Sequence, residues 1–309
     1  MKDYNFLLDR DKAEEFLNQH SAEIFGNEAK IKINELKRSN TYNPEAFNIL
    51  YDLQVGKSQL HMRASTSQVF SKEHDYNVML YLREHGFSEG DFTIPSALAF
   101  LREENLLFYE NLRGERLSDF LAKGYLEIES EIKGCAALAK KFHLVEKPTF
   151  GLFDSALFFR NFRFNEVNAK FPQAQDLGKI VQEIMCNLPQ ANQTFCHGDF
   201  NPNNILLDNG KISLIDFGLT TIFHKEVDLA SFLTHLRLML GRESDHFANL
   251  KDAFLKEYGA FDEKILQMLM ILIDIRLLEI SIIFQDAHYD SDFLYNSLQS
   301  DLGKLNNGS

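Results

Sequence analysis

The sequence predicts an α+β protein of two lobes, a small β-rich N-lobe over residues 1–111 and a larger, mostly helical C-lobe over residues 112–309. Three observations carry this. The chain has 309 residues, a size at which one hydrophobic core gives way to two. Strand-like blocks crowd its first third. Helical periodicity takes over after Arg113-Gly114, with a single β insertion.

The elements follow in order. Residues 9–25 place Ala13, Phe16, Leu17 and Ile24 near one face of an amphipathic helix. KIKINELKR reads as a strand and is followed by the turn-rich SNTYNPEA. FNILYDLQV and SQLHMRA flank Gly56-Lys57 as a hairpin. A helix over 71–85 stops near Gly86, and NLLFYEN (Asn105–Asn111) is a further strand. Helical patterns then run over 117–123, 127–145 and 174–188. TFCHGD leads through a loop into NILLD, a turn at Asp208-Asn209-Gly210, and KISLIDFG, the pattern of a tight hairpin. From Glu226 onward the chain is helical again.

Apolar residues make up 45% and charged residues 25%, which excludes a disordered or fibrous chain. The net charge of −13 argues against a nucleic-acid binder, which needs a basic face. It suits a soluble surface and leaves room for a cationic small-molecule partner. Cys135, Cys186 and Cys196 form no CxxC pair, so no disulfide framework is expected. The N-terminal residues lack the apolar core of a signal peptide. The most apolar stretch, Ile265–Phe284, is broken by Asp274, Arg276 and Glu279, so no membrane span is expected. These features together predict a reduced, cytoplasmic setting. Arg276 and Glu279 stand i,i+3 and should pair. Asp274 reads first as half of an ion pair inside the helical lobe, and second as an acidic group in a substrate cleft. Asp286, Asp290 and Asp292 read as a solvated helix end, and the Phe-rich segment 151–165 as packing.

The chemistry concentrates in His197-Gly198-Asp199-Phe200-Asn201-Pro202-Asn203-Asn204 and in Asp216-Phe217-Gly218 at the end of the next hairpin. A carboxylate (Asp216) and a carboxamide (Asn204) near adjacent strand ends are hard oxygen donors that suit Mg²⁺ carried by substrate phosphates. Asp199 is then left to face an acceptor hydroxyl. Phosphoryl transfer asks for positioning, charge neutralisation and a residue that orients the nucleophile. Other motifs fail. Cys196-His197 has no second pair at zinc spacing. Gly56-Lys57-Ser58 ends like a Walker A loop, but Tyr51 stands where that loop needs its first glycine.

The spacing H-x-D-x-x-x-x-N followed by D-F-G resembles the catalytic loop of protein kinases. With Gly198 in place of arginine, FCHGDFNPNNILLDNGKISLIDFG resembles the aminoglycoside phosphotransferase and choline kinase family, the small-molecule branch of the protein-kinase-like fold. LLFYENLRGERLSDFL resembles that family's hinge, ALAKKFHLV its helix carrying a histidine (here His143), YLREHGF the end of its N-lobe helix, and EVDLASF its later aspartate. The likeness spans roughly residues 60–240.

The resemblance implies a bilobal kinase-like fold with ATP and Mg²⁺ in the cleft between the lobes. It implies Asp199 as the catalytic residue, Asn204 and Asp216 as metal ligands, His197 as loop structure and Asp228 as a brace of the catalytic loop. Backbone groups of Glu110, Asn111 and Leu112 would meet the adenine. Arg63 on the third strand would supply the phosphate-binding cation, with Glu73 or Asp75 as its acid, and SNTYNP would cover the phosphates without a glycine. The expected activity is ATP-dependent phosphorylation of a hydroxyl on a small molecule, aminoglycoside-like, an amino alcohol or a related metabolite. The alternatives are a catalytically silent nucleotide-binding or regulatory protein, and a protein or ketosamine kinase. The absence of H-R-D, and of A-P-E after Gly218, speaks against a peptide-docking kinase. ATP or GTP, and the acceptor itself, stay open.

Overall fold

The computed structural model describes residues 4–39, 46–67, 71–124, 127–154, 159, 162–174, 176–241, 244–283 and 290–307. The chain divides into two compact units. The first is Met1–Gly114 joined by Ser213–Gly218, and the second is Glu115–Ile212 with Leu219–Ser309. The first unit thus runs past residue 111 to the glycine of Arg113-Gly114 and also takes in the segment that ends in Asp216-Phe217-Gly218.

Two short helices, α1 (Arg10–Gln19) and α2 (Ser21–Phe25), open the first unit. They replace the single helix expected over 9–25, because the backbone at His20 (φ −101°, ψ 15°) leaves helical geometry. Asp9 caps α1 by accepting the Lys12 N–H at 3.3 Å. Five strands follow: β1 (Ile31–Arg38), β2 (Ala46–Val55), β3 (Ser58–Ser67), β5 (Ala97–Leu101) and β6 (Leu106–Glu110). They form one antiparallel sheet in the order β1-β2-β3-β6-β5. The short β4 (Phe92–Thr93) lies between β3 and β5 in sequence.

Alternation sorts the two faces of this sheet. Ile31, Ile33, Ile49, Tyr51, Leu53, Met62, Ala64 and Phe108 form one buried core with Leu7, Ala13, Leu17 and Ile24 of the N-terminal segment. The Tyr51 hydroxyl ties into it by donating to the Leu7 carbonyl at 2.7 Å. Since Met62 and Ala64 face the helices, Arg63 and Ser65 face the other side. Helix α3 (Glu73–Leu82) continues into a wider turn over Arg83–Phe87, which Gly86 leaves at φ 92°.

The second unit begins with β7 (Glu115–Arg116), α4 (Leu117–Ala122) and α5 (Glu129–His143). Next come α6 (Phe164–Lys170) and α7 (Leu177–Asn187). Strand β8 (Thr194–Cys196) pairs antiparallel with β11 (Thr221–Phe223). Between them β9 (Ile205–Asp208) and β10 (Lys211–Leu214) flank a turn in which Asn209 (φ 48°) and Gly210 (φ 84°) are both left-handed. That is the geometry a two-residue hairpin demands.

Helices α8 (Glu226–Leu240), α9 (Asp245–Tyr258), α10 (Glu263–Ile283) and α11 (Ser291–Asn307) complete the unit. α8 packs on α10, α9 on α5, and α10 on α11. Asp274 is fully buried on α10 and accepts from Arg237 at 2.6 Å. Arg237 also donates to Asp301 at 2.6 Å. Asp274 is therefore a core ion-pair residue. Arg276 pairs with Glu279, and its guanidinium lies 4.1 Å from the centroid of the Phe162 ring. Phe159 is buried. Asp290 caps α11 by accepting from Asp292 N at 2.9 Å and Phe293 N at 3.2 Å. Asp286 lies outside the described residues, as does most of SNTYNP. Among the described residues no helix is long and apolar enough to cross a membrane.

Candidate active site

The loop between β8 and β9 is built around Asp199. Asn201 donates its side-chain amide to Asp199 Oδ1 at 2.7 Å, and Asn204 donates to Asp199 Oδ2 at 2.7 Å. Asn204 reaches the Asp199 carbonyl as well, at 2.9 Å. The Asn201 Oδ1 accepts the Asn203 N–H at 2.9 Å, so the same side chain caps the short turn after Pro202. Asn201 and Asn204 are buried while Asp199 is half-exposed. Each carboxylate oxygen is thereby aimed by one amide, and a single rotamer is fixed.

The backbone before Asp199 is clamped from below. Asp228, fully buried in the first turn of α8, accepts the His197 N–H on Oδ2 and the Gly198 N–H on Oδ1, both at 2.8 Å. His143 Nε2 donates to the same Oδ2 at 2.9 Å, and His143 Nδ1 meets the Tyr258 hydroxyl at 2.8 Å. Burial, with the nearby Glu226 and Asp228 carboxylates, pushes the Tyr258 phenol far above its ordinary range and keeps it protonated. Charge-assisted bonds of this kind are among the stronger ones in a protein interior.

Gly198 is required by geometry. Its φ is +80°, and a Cβ there would lie 2.1 Å from the Leu219 carbonyl oxygen. No larger residue fits, which is why the motif reads His-Gly-Asp. His197 is fully buried and accepts the Asp199 N–H on Nδ1 at 3.3 Å, so it is part of the loop's frame.

His143, Cys196 and Asp228 bring three potential metal-ligand atoms within 4.8 Å of one another. Burial, and next Asp228, push the Cys196 thiol well above its ordinary range, and it is hydrogen-bonded to the Thr194 and Phe223 carbonyls at 3.5 Å. All three groups are taken up by hydrogen bonds within the protein. The cluster is a brace for the loop.

In the first unit Asp216 is exposed, with φ +67°, and Phe217 beside it is buried. His74 Nε2 donates to the Phe217 carbonyl at 3.1 Å. A Cβ at Gly218 would lie 3.4 Å from Asp75 Oδ1 and 3.7 Å from Asp216 Oδ1. The glycine therefore keeps a small oxygen-lined space beside Asp216.

Arg63 stands opposite Tyr109 in the sheet register. Its Nε donates to Asn111 Oδ1 at 2.7 Å, and its Nη1 donates to Asn48 Oδ1 at 3.2 Å and Ser39 Oγ at 3.5 Å. These partners are all neutral. Glu73 does not pair with Arg63: it is salt-bridged to Arg102, because its place at the first position of α3 turns it outward. Asp75 does not pair with Arg63 either, but with Lys72 at 3.0 Å.

At the expected hinge the Glu110 N–H donates to the Ser96 carbonyl and the Asn111 N–H to the His61 carbonyl, each at 2.9 Å. Those two donors serve the sheet, so any adenine-facing N–H of this segment falls to Leu112. Two contacts here, Asn201 with Asp199 and Lys72 with Asp75, escape a sequence reading. Asn201 looks like an ordinary turn former before proline, and Lys72 looks like a solvated charge. The signals that could have exposed them are the two-residue spacing of Asp199 and Asn201 and the i,i+3 spacing of Lys72 and Asp75.

Residues 62–269 match the model of a phosphotransferase enzyme family, APH. That is more than half of the chain, and the chain belongs to this family: it is a small-molecule phosphotransferase, a kinase of the protein-kinase-like fold. Solved structures with the same fold include spectinomycin phosphotransferase APH(9)-Ia in complex with ADP and spectinomycin. It has TM-score 0.63 and 14% identity, over 94% of this chain and 93% of that one. Aminoglycoside phosphotransferase APH(4)-Ia aligns with TM-score 0.63 at 18% identity, over 93% and 98%. The streptomycin-ATP-APH(2″)-IIa complex aligns with TM-score 0.58 at 16% identity, over 93% and 95%. No curated protein sequence matches the chain.

Proposed function

We propose that this enzyme moves the γ-phosphate of ATP to a hydroxyl of a small, polar, cationic acceptor. The observation that carries the reading is the double amide grip on Asp199, from Asn201 and Asn204 at 2.7 Å each. A carboxylate held this firmly suits the role of orienting one hydroxyl. One of its oxygens accepts the hydroxyl proton as the acceptor oxygen bonds to the γ-phosphorus and the bond from that phosphorus to the bridging oxygen breaks, releasing ADP. Most of the rate gain then comes from position and electrostatics rather than covalent chemistry.

Asn204 and Asp216 are the proposed ligands of Mg²⁺. Asn204 directs its amide nitrogen to Asp199, so its carbonyl oxygen is the atom left for a cation. Asp216 offers an exposed carboxylate, and Gly218 leaves room beside it. Carbonyl and carboxylate oxygens are the donors that hard divalent cations take. When bound, the metal neutralises phosphate charge during transfer. The Leu112 N–H and the Glu110 carbonyl are proposed to meet the adenine. His197 and Asp228 hold the loop without touching substrate.

For the acceptor, the net charge of −13 favours cations. Spectinomycin and streptomycin in the relatives' complexes belong to the same chemical range. The test is ADP release with MgATP against aminoglycosides, choline, ethanolamine, homoserine, ketosamines and nucleosides. One or more acceptors should raise ADP release above the acceptor-free rate. Clear MgATP binding with silence across the panel and across peptide acceptors would favour a regulatory nucleotide-binding protein instead.

A further inference from the structure

We infer that Lys72, rather than Arg63, supplies the cation that grips the nucleotide phosphates, with Asp75 as the acid that holds it; this rests on the ATP-dependent reading above. The argument starts from which cation stands beside the proposed metal ligand. Lys72 Nζ lies 3.0 Å from Asp75 Oδ2. The other oxygen of Asp75 borders the Gly218 space that Asp216 Oδ1 also borders, at 3.4 and 3.7 Å from a Cβ placed there. Asp75 thus holds the ammonium with one oxygen and turns the other toward the space beside the DFG aspartate.

Burial works against the Lys72 ammonium, but the charges of Asp75 and Asp216 outweigh it and hold its pKa above the ordinary lysine value. The group is a fixed cation, and its side chain is still 18% exposed. An ammonium has three donors, and Asp75 takes one.

Asn105 fixes where this lysine stands. Its Oδ1 accepts the Lys72 N–H at 2.7 Å and its Nδ2 donates to the Ser67 carbonyl at 2.7 Å. The residue takes a left-handed φ of 50°. One side chain therefore ties the last residue of β3 to the residue before α3. The cation arrives from the strand–helix junction instead of from the strand. Arg63 belongs to the opposite end of the problem. Its Nε donates to Asn111 and its Nη1 to Asn48 and Ser39, so it ties the hinge to the sheet through neutral partners.

The experiment is calorimetric titration of the full chain with MgATP, MgADP and adenosine. Four proteins are compared: wild type, Lys72→Met, Lys72→Met/Asp75→Asn and Arg63→Met. The double variant is needed because the single one leaves Asp75 buried without its ion-pair partner, and thermal unfolding confirms that it is folded. The expected result is a loss of affinity for MgATP and MgADP of about tenfold or more, the size of one charge-assisted contact. Adenosine affinity should stay within about twofold, below 0.5 kcal/mol. Arg63→Met should weaken adenosine and MgATP together. Unchanged MgATP affinity in the double variant, or equal weakening of adenosine, overturns the lysine assignment. A wild-type chain that binds no MgATP overturns the ATP-dependent reading itself.

Discussion

Asn201 Nδ2 lies 2.7 Å from Asp199 Oδ1, and the Asn201 Oδ1 simultaneously takes the Asn203 N–H at 2.9 Å. One side chain thus aims the proposed catalytic carboxylate and closes the turn that follows it. Asn201→Ala should therefore lower kcat by about tenfold to a hundredfold, the cost of an ångström-scale misplacement. The acceptor KM should change much less. A kcat equal to wild type, with acceptor present, would show that Asp199 needs no such guide.

Asp228 accepts three hydrogen bonds in a fully buried position, from His197 N, Gly198 N and His143 Nε2. An asparagine turns one acceptor into a donor facing another donor. Asp228→Asn should destabilise the fold by roughly 2–4 kcal/mol, as for a broken buried charge-assisted network. Urea unfolding followed by circular dichroism measures it. A loss below about 1 kcal/mol, the scale of one ordinary neutral hydrogen bond, would remove Asp228 from its bracing role.

Gly198→Ala places a methyl group 2.1 Å from the Leu219 carbonyl oxygen at φ +80°. The left-handed backbone alone costs about 1 kcal/mol or more, and the clash adds to it. Activity should fall steeply while ligand-free secondary structure persists. Arginine at 198, the protein-kinase form of the motif, should be worse than alanine. Wild-type kinetics in either variant would contradict the close approach.

Asp274 is buried against Arg237 at 2.6 Å, and Arg237 reaches Asp301 at 2.6 Å. Asp274→Ala should cost about 3 kcal/mol in stability, since Arg237 loses its fully buried partner and keeps only Asp301. In the fraction that folds, the KM for any acceptor should match wild type. A selective KM change with full stability would instead place Asp274 at the acceptor.

His235 is buried on α8, with Nδ1 donating to the Ser231 carbonyl at 2.8 Å. Burial lowers its pKa to about 4, from the ordinary histidine value of 6.5, although the Ser231 bond works the other way. Unfolded chain then binds more protons than folded chain between pH 6.5 and about 4. Stability is full above pH 6.5 and falls as pH drops, by at most about 3 kcal/mol at pH 4. His235→Leu should flatten that part of the wild-type stability profile. Parallel profiles for the two proteins would show that His235 is not the group responsible.

Much of the fold could be read locally. The β9–β10 hairpin follows from Asn209-Gly210, whose left-handed backbone only a few residues adopt. The Asp199–Asn204 spacing is likewise local, because a five-residue turn brings the two side chains together. What could not be read depends on contacts distant in sequence. The His143–Asp228–Tyr258 chain links residues 85 and 115 positions apart. The neighbourhood of Lys72 and Asp216 depends on residues 213–218 joining the first unit. Arg63 bonds to Asn111 and Glu73 pairs with Arg102, each a partner 29 or more positions away that no local pattern marks.

The most direct test of the central claim is transfer of labelled γ-phosphate from ATP to an active acceptor by wild type and Asp199→Asn, with MgATP affinity measured in parallel. The account predicts turnover lowered by about a hundredfold to ten-thousandfold, the range for losing a general base, and affinity within a few fold of wild type. Undiminished phosphate transfer by Asp199→Asn would contradict it.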